Sequence, residues 1–364
     1  VCGNVFINQI MPSRSPNPRT IGWNGDRHSP AQHIKDSDRE TPARDRPEWK
    51  EFKATFGANR VFENWTMEEL HARIFEETER MVLESELAFE IGKSTYTLGI
   101  NQFADWTEDE FLSIVTSDPR IIENNAQVSS RSNSDQRAPI PKELDWRTLI
   151  RIAPVRRQGG CGACSPFAAI SITEAQFAMS NIDVDLSEQF VMDCSSHPGG
   201  LNYGCSGGWV ENIFSWLKEN NRGIPTRTDV PYLVRNGVCP ANSVTDQWKT
   251  YYIKNYTIGP IGDEDELRYL INDIGPFTSS IEGTTLLSYK QGIFNPSSCG
   301  NPNYSALHTV AVLGYGIEEG NRYWLVRNSW GDWWGEEGYF RIARGVNKCS
   351  FANWTTFVTV NQGK

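Results

Sequence analysis

The chain has 364 residues, enough for two or three domains' worth of core, and 38% of them are hydrophobic. A net charge of −10 and a pI near 5.2 argue against a nucleic-acid partner, and no basic block appears. No apolar stretch approaches the roughly 18 residues that a membrane span needs. The chain opens on Val1 with no secretory hydrophobic core in view, so it is expected to be trimmed or incomplete, and targeting is not read from it.

Residues 1–45 are polar, Pro-rich and poor in aliphatic side chains, with runs such as Asp36-Ser37-Asp38-Arg39-Glu40, and are expected to be disordered. From Trp49 the texture changes. Trp49, Phe52 and Phe56 recur at spacings of three and four, the seed of an amphipathic helix. Thr66 with Glu69 predicts a capping box opening a long helix that runs to about Gly92. After Tyr96–Asp105, Thr107 with Glu110 predicts a second capped start. Residues 118–138 are rich in Ser and Asn and read as a linker suited to proteolytic cutting.

The stretch Gln158-Gly159-Gly160-Cys161-Gly162-Ala163-Cys164 carries the chemistry. Pro166 fits the first turn of a helix, and Phe167 through Met179 is apolar with breaks at helical spacing. Cys164 is therefore expected at a helix N-terminus, where the macrodipole favours a thiolate by about 0.3–1 kcal/mol. Gln158, on a Gly-rich turn, can aim its amide at a developing oxyanion. Cys161-Gly162-Ala163-Cys164 is also a CxxC, which elsewhere marks a redox dithiol or half a zinc site. A zinc site needs a second close ligand pair, and none exists; a redox site needs a preceding strand, whereas Gly159-Gly160 argue for a loop.

Further on, Ser187 to Cys194 and Trp209 to Asn220 read as helices. Tyr251–Ile258, Val310–Tyr315, Tyr323–Arg327 and Tyr339–Ala343 read as strands. His308 is the candidate base, and Asn328-Ser329-Trp330 follows with a side chain to orient an imidazole. Seven of the eight cysteines fall after residue 160, so one is left over if the rest are bridged; the count leaves the pairing open. Disulfides imply an oxidising route. Acceptor sequons stand at Asn64, Asn255, Asn303 and Asn353.

The cysteine motif, with His308 lying 144 residues beyond Cys164 and Asn328 lying 164 beyond, resembles a papain-family cysteine protease, closest in layout to the cathepsin L-like group. The implied fold is α+β, a papain-like two-lobe fold with a helical lobe and a β-barrel-like lobe, preceded by a helical propeptide domain. Gly99, Asn101, Phe103 and Asp105 fill the group's propeptide motif Gly-x-Asn-x-Phe-x-Asp. The long-helix motif departs: aligned on Phe75, its Glu, Arg, Asn, Ile and Asn fall on Met67, His71, Thr78, Val82 and Glu86. A helical domain unrelated to inhibition is the other reading of this block. The implied division is a disordered segment to 45, an inhibitory propeptide over 46–117, an activation linker over 118–138, and a peptidase domain from 139 to 364.

The resemblance implies disulfides Cys161–Cys205, Cys194–Cys239 and Cys299–Cys349, with Cys164 free as nucleophile. It implies His308 as acid and base, Asn328 as its orienter, and Gln158 with the Cys164 backbone N–H at the oxyanion. Trp330 is expected to shield the Asn–His contact. Gly207 and Gly208 are expected to pair with substrate backbone, and Trp209, Ser280, Ala306, Thr309 and Trp354 to wall a shallow second subsite. Departures are Ser165, where the family has Trp, Pro166, and Leu307, where it has Asp or Asn.

The expected activity is that of an endopeptidase, since no paired-histidine loop of exopeptidase relatives is present; the mechanism calls for no cofactor and no metal. The expected partners are protein or peptide substrates, the chain's own propeptide and cystatin-type inhibitors, with no nucleic acid and no membrane, in a lysosomal or secreted monomer. The rival reading is a catalytically weak secreted relative acting as a binding or matrix protein.

Overall fold

The computed structural model describes residues 42–57, 61–115, 138–196, 202–241, 247–299 and 307–361. The N-terminal module packs helix α1 (Pro47–Phe56) against the long helix α2 (Trp65–Glu90), then runs through strand β1 (Tyr96–Leu98) and the short helix α3 (Glu108–Leu112). Its own core is Trp49, Phe52, Ala72, Phe75 and Ala104, with Trp49 and Phe52 stacked at 5.6 Å.

Two expectations for this module need correcting. Ala43–Asp45, inside the segment read as disordered, forms a 3-10 turn whose Ala43 and Arg44 N–H groups donate to the Glu69 carboxylate. Glu69 is thus taken, and the cap of α2 is Asn64, not Thr66: its Oδ1 accepts from Thr66 N and Met67 N, both at 3.0 Å. Asn beats Thr as a cap by geometry, satisfying two orphan donors with one oxygen. The second capping box, Thr107 with Glu110, is present as expected.

The remainder has two lobes. Strand β2 (Leu144–Asp145) and helix α4 (Trp146–Leu149) lead to α5 (Cys164–Met179), α6 (Glu188–Ser195) and α7 (Val210–Glu219). α5 is buried on every side from Cys164 to Phe177, as a central helix is, with Ser165, Ser171, Thr173, Glu174 and Gln176 among its apolar residues. Arg156 binds it to its surroundings through Glu174 at 2.7 Å, Glu188 at 2.6 Å and Asp185 at 2.6 Å. Disulfides Cys161–Cys205 and Cys194–Cys239 staple this lobe.

The second lobe holds β3 (Ile253–Ile258), helix α8 (Glu264–Asp273), β4 (Phe277–Glu282), β5 (Tyr289–Phe294), β6 (Leu307–Glu318), β7 (Asn321–Arg327), β8 (Tyr339–Ala343) and β9 (Thr355–Val360). Among the described residues the sheet order is β1-β5-β8-β7-β6-β4-β9-β3, with β2 on β6. Strand β1 of the N-terminal module pairs antiparallel with β5, Tyr96 opposite Gly292, and so extends this lobe's sheet. Cys299–Cys349 closes the lobe. Among the described residues, no helix is long and apolar enough to cross a membrane.

Candidate active site

Cys164 is the first residue of α5, as its sequence context predicts, and is fully buried. The turn before it needs glycine: Gly159 has φ +63°, and a Cβ there would meet Val234 Cγ1 at 2.8 Å. One expectation fails. Cys164 is disulfide-bonded in this structure, and among the described residues no cysteine is free. A disulfide sulfur has no thiol proton to lose, so the group becomes a nucleophile only after reduction. Cys2 lies outside the described residues.

His308 is the second residue of β6, held opposite Ile281 of β4. Its Nε2 lies 2.7 Å from Asn328 Oδ1, and its Nδ1 has no protein hydrogen-bond partner. Trp330 stacks on the ring at 4.5 Å with the planes 24° apart. Burial pushes the imidazole pKa down to about 4, against the pull of the Asn328 contact. The two walls meet at Thr309, whose N–H donates to Cys164 Sγ at 3.4 Å. Cys164, His308 and Asn328 are therefore brought together from α5, β6 and the segment just after β7.

Gln158 is fully buried beside them. Its Nε2 donates to Cys161 O at 3.1 Å and to Ile114 O of the N-terminal module at 3.3 Å. Its Oε1 accepts from Ser329 Oγ at 2.6 Å, which fixes the amide with the N–H₂ outward. Tyr232 OH secures the Gln158 carbonyl at 2.7 Å. Ser329 stands inside the Asn-Ser-Trp run, beside the orienting Asn328, and nothing local in the sequence flags Tyr232.

Of the expected subsite residues, Trp209 packs with Leu307, and Trp354 lies against both. Ser280 N–H donates to Trp354 O at 3.1 Å, and Thr309 faces Ser280 across the sheet. Gly207 and Gly208 follow the Cys205 turn; a Cβ on Gly208 would lie 2.2 Å from Asn202 Oδ1. Ala306 and the sequon Asn303 lie outside the described residues. Of the other sequons, Asn64 caps α2, Asn255 is exposed and accepts from Lys218 Nζ at 2.6 Å, and Asn353 accepts from Asn347 Nδ2 at 2.8 Å.

The N-terminal module lies over this site. Phe103 meets Trp330 edge-on at 5.2 Å, and Phe111, Ile114 and Val115 join the same core as Trp330 and Trp334. Gln102 Nε2 donates to Trp330 O at 3.2 Å and Asn101 Nδ2 to Leu287 O at 2.8 Å. Gly99 N–H donates to Ser288 O at 2.7 Å. His71 Nδ1 lies 2.7 Å from Asp105 O, so a departure from the group's helix motif still links α2 to the docking segment.

Residues 140–359 match the papain family cysteine protease model, and residues 49–111 match the cathepsin propeptide inhibitor domain. A cathepsin L-like proteinase of Phaedon cochleariae is 35% identical over 84% of this chain and 90% of its own length. Digestive cysteine proteinase 1 of Homarus americanus is 34% identical over 86% and 95%. The structure of digestive procathepsin L2 from Tenebrio molitor superposes with a TM-score of 0.75 at 30% identity, covering 86% of this chain and 98% of that one. The chain belongs to the papain family of cysteine proteases, as a cathepsin L-like endopeptidase zymogen with its inhibitory propeptide in place.

Proposed function

We propose that Cys164, His308, Asn328 and Gln158 carry peptide-bond hydrolysis in this enzyme. Reduced Cys164 attacks the scissile carbonyl carbon as a thiolate, and the electron pair moves to the carbonyl oxygen. That oxyanion lies against the Cys164 backbone N–H and Gln158 Nε2. The C–N bond then breaks, His308 gives its proton to the leaving amine, and a thioester remains. A water, deprotonated by His308, cleaves the thioester and restores the thiolate. Asn328 holds the ring so that Nδ1 is the working nitrogen, and Trp330 keeps water from that contact.

The observation that carries this reading is the imidazole held on Nε2 by Asn328 with Nδ1 unused, on the wall facing Cys164. The contact of Gln158 Nε2 with Ile114 O supports the oxyanion role, because an ordinary peptide carbonyl already accepts from that donor. Gly207 and Gly208 would pair with substrate backbone. Trp209, Leu307 and Trp354 fill the space of the second subsite and support a preference for small or β-branched side chains there. Cystatin-type inhibitors, a monomeric state, a lysosomal or secreted site of action, glycosylation at exposed Asn255, and cutting between 118 and 138 complete the reading.

The test is to process the full chain at acid pH with dithiothreitol, then titrate it with an irreversible epoxysuccinyl inhibitor alongside Cys164→Ala. Stoichiometric labelling of Cys164 with loss of peptidase activity is expected, and none in the variant. Activity that survives in Cys164→Ala overturns the assignment.

A further inference from the structure

Ser165, next to the nucleophile, and Thr309, next to the base, face each other across the two lobes. Ser165 Oγ donates to Gly208 O at 2.6 Å and lies 3.3 Å from Thr309 Oγ1. Thr309 Oγ1 lies 3.1 Å from Ser280 Oγ on the neighbouring strand. All three side chains are buried. Each hydroxyl has a single proton to donate. Because the chain ends on a carbonyl, one direction satisfies every link: Ser280 to Thr309, Thr309 to Ser165, Ser165 to Gly208. A buried run of this kind has every member satisfied, so it specifies one arrangement.

We propose that the Ser280–Thr309–Ser165 hydroxyl chain is a clasp that sets the separation of the Cys164 and His308 walls, with Ser165 and Thr309 acting as positioning residues. The inference rests on the catalytic assignment above. It draws on two observations that assignment does not use: the hydroxyl at Ser165 and its direct bond to the Gly208 carbonyl. Thr309 also donates its backbone N–H to Cys164 Sγ, so the clasp and the nucleophile share one residue. A shift of the Thr309 strand therefore moves the base and the donor to the sulfur together.

The test uses the full chain, acid-processed in dithiothreitol, with Thr309→Val, Thr309→Ser, Ser165→Ala and Ser280→Ala. Thr309→Val keeps shape and loses the hydroxyl, whereas Thr309→Ser keeps the hydroxyl. Thr309→Val and Ser165→Ala are expected to lower kcat about tenfold with KM within about twofold, as misplacement of reacting groups does. The same variants are expected to move the pH profile of Cys164 alkylation by iodoacetamide, and Thr309→Ser is expected to restore both. Wild-type kcat and alkylation in Thr309→Val and Ser165→Ala overturn the clasp, as does a change confined to KM, which marks a subsite wall. If those variants do not fold, Ser280→Ala decides the matter at the outer link: an unchanged kcat overturns it. Failure of the wild-type chain to be labelled at Cys164 would instead count against the catalytic assignment.

Discussion

His308 Nε2 lies 2.7 Å from Asn328 Oδ1, and Trp330 covers the ring that makes this contact. The oxygen also accepts from Ser329 N–H at 2.7 Å, so the Asn328 side chain is pinned from its own backbone. Asn328→Ala frees the ring to rotate while leaving both reacting groups in place. A fall in kcat of about 10–100-fold with little change in KM is expected, measured on the processed enzyme.

Burial holds His308 at a pKa of about 4 in the zymogen, below the 6.5 of an exposed imidazole. The unfolded chain therefore binds this proton first, and stability rises with pH between about 4 and 6.5. Acidification through that window removes on the order of 3 kcal/mol from the proform. Glu174 runs the other way: burial pushes its carboxyl up to about 7, so its contribution is lost as pH rises from 4.5 toward 7. Denaturant midpoints of the Cys164→Ala proform across this range, with and without His308→Gln, isolate the histidine. A nearly level parent profile that turns into a loss of stability with rising pH in His308→Gln, where Glu174 acts alone, is the expected result.

Phe103 anchors the propeptide on Trp330 from a position only 8% exposed. Phe103→Ala removes about 3 kcal/mol of docking, at the low end for a buried Phe truncation. Faster autoprocessing of the full chain at a fixed acid pH is expected, read by the appearance of the mature band.

Trp354 lies against Trp209 and Leu307, filling the proposed second subsite. Trp354→Ala is expected to move the preferred substrate residue there from Val or Thr toward Leu or Phe. A peptide-library profile of the wild type already dominated by Phe would sink the idea of a shallow pocket.

Where the chemistry demands a rare local pattern, the sequence was legible. The Gly-rich turn before Cys164 and the helix behind it stand where expected, as do the Thr107–Glu110 box and strand β8. The three family-implied disulfides are also present. Legibility failed where a side chain's partner is distant in sequence. Glu69 looked like the third residue of a capping box but is claimed by Ala43 and Arg44, which left the cap to Asn64. Strands β4, β5 and β9 take their identity from pairing with distant strands, whereas helix α8 does carry a local signature, Asp263 as cap with Leu267, Leu270 and Ile271 on the buried face. The bonded state of Cys164 was hidden too, because a cysteine count fixes parity and not redox state.

Strand β1 sits at the end of the sheet, bonded along β5, and with the cut between 118 and 138 proposed above it leaves with the propeptide. Maturation therefore uncovers a raw border. The Ile293 N–H, now donated to Thr95 O at 2.7 Å, loses its acceptor along with the rest of that rim. An unpaired rim of this kind is a template for another chain's strand. On that reading the prosegment covers a sheet edge as well as the cleft, and the cut enzyme presents that edge to solvent.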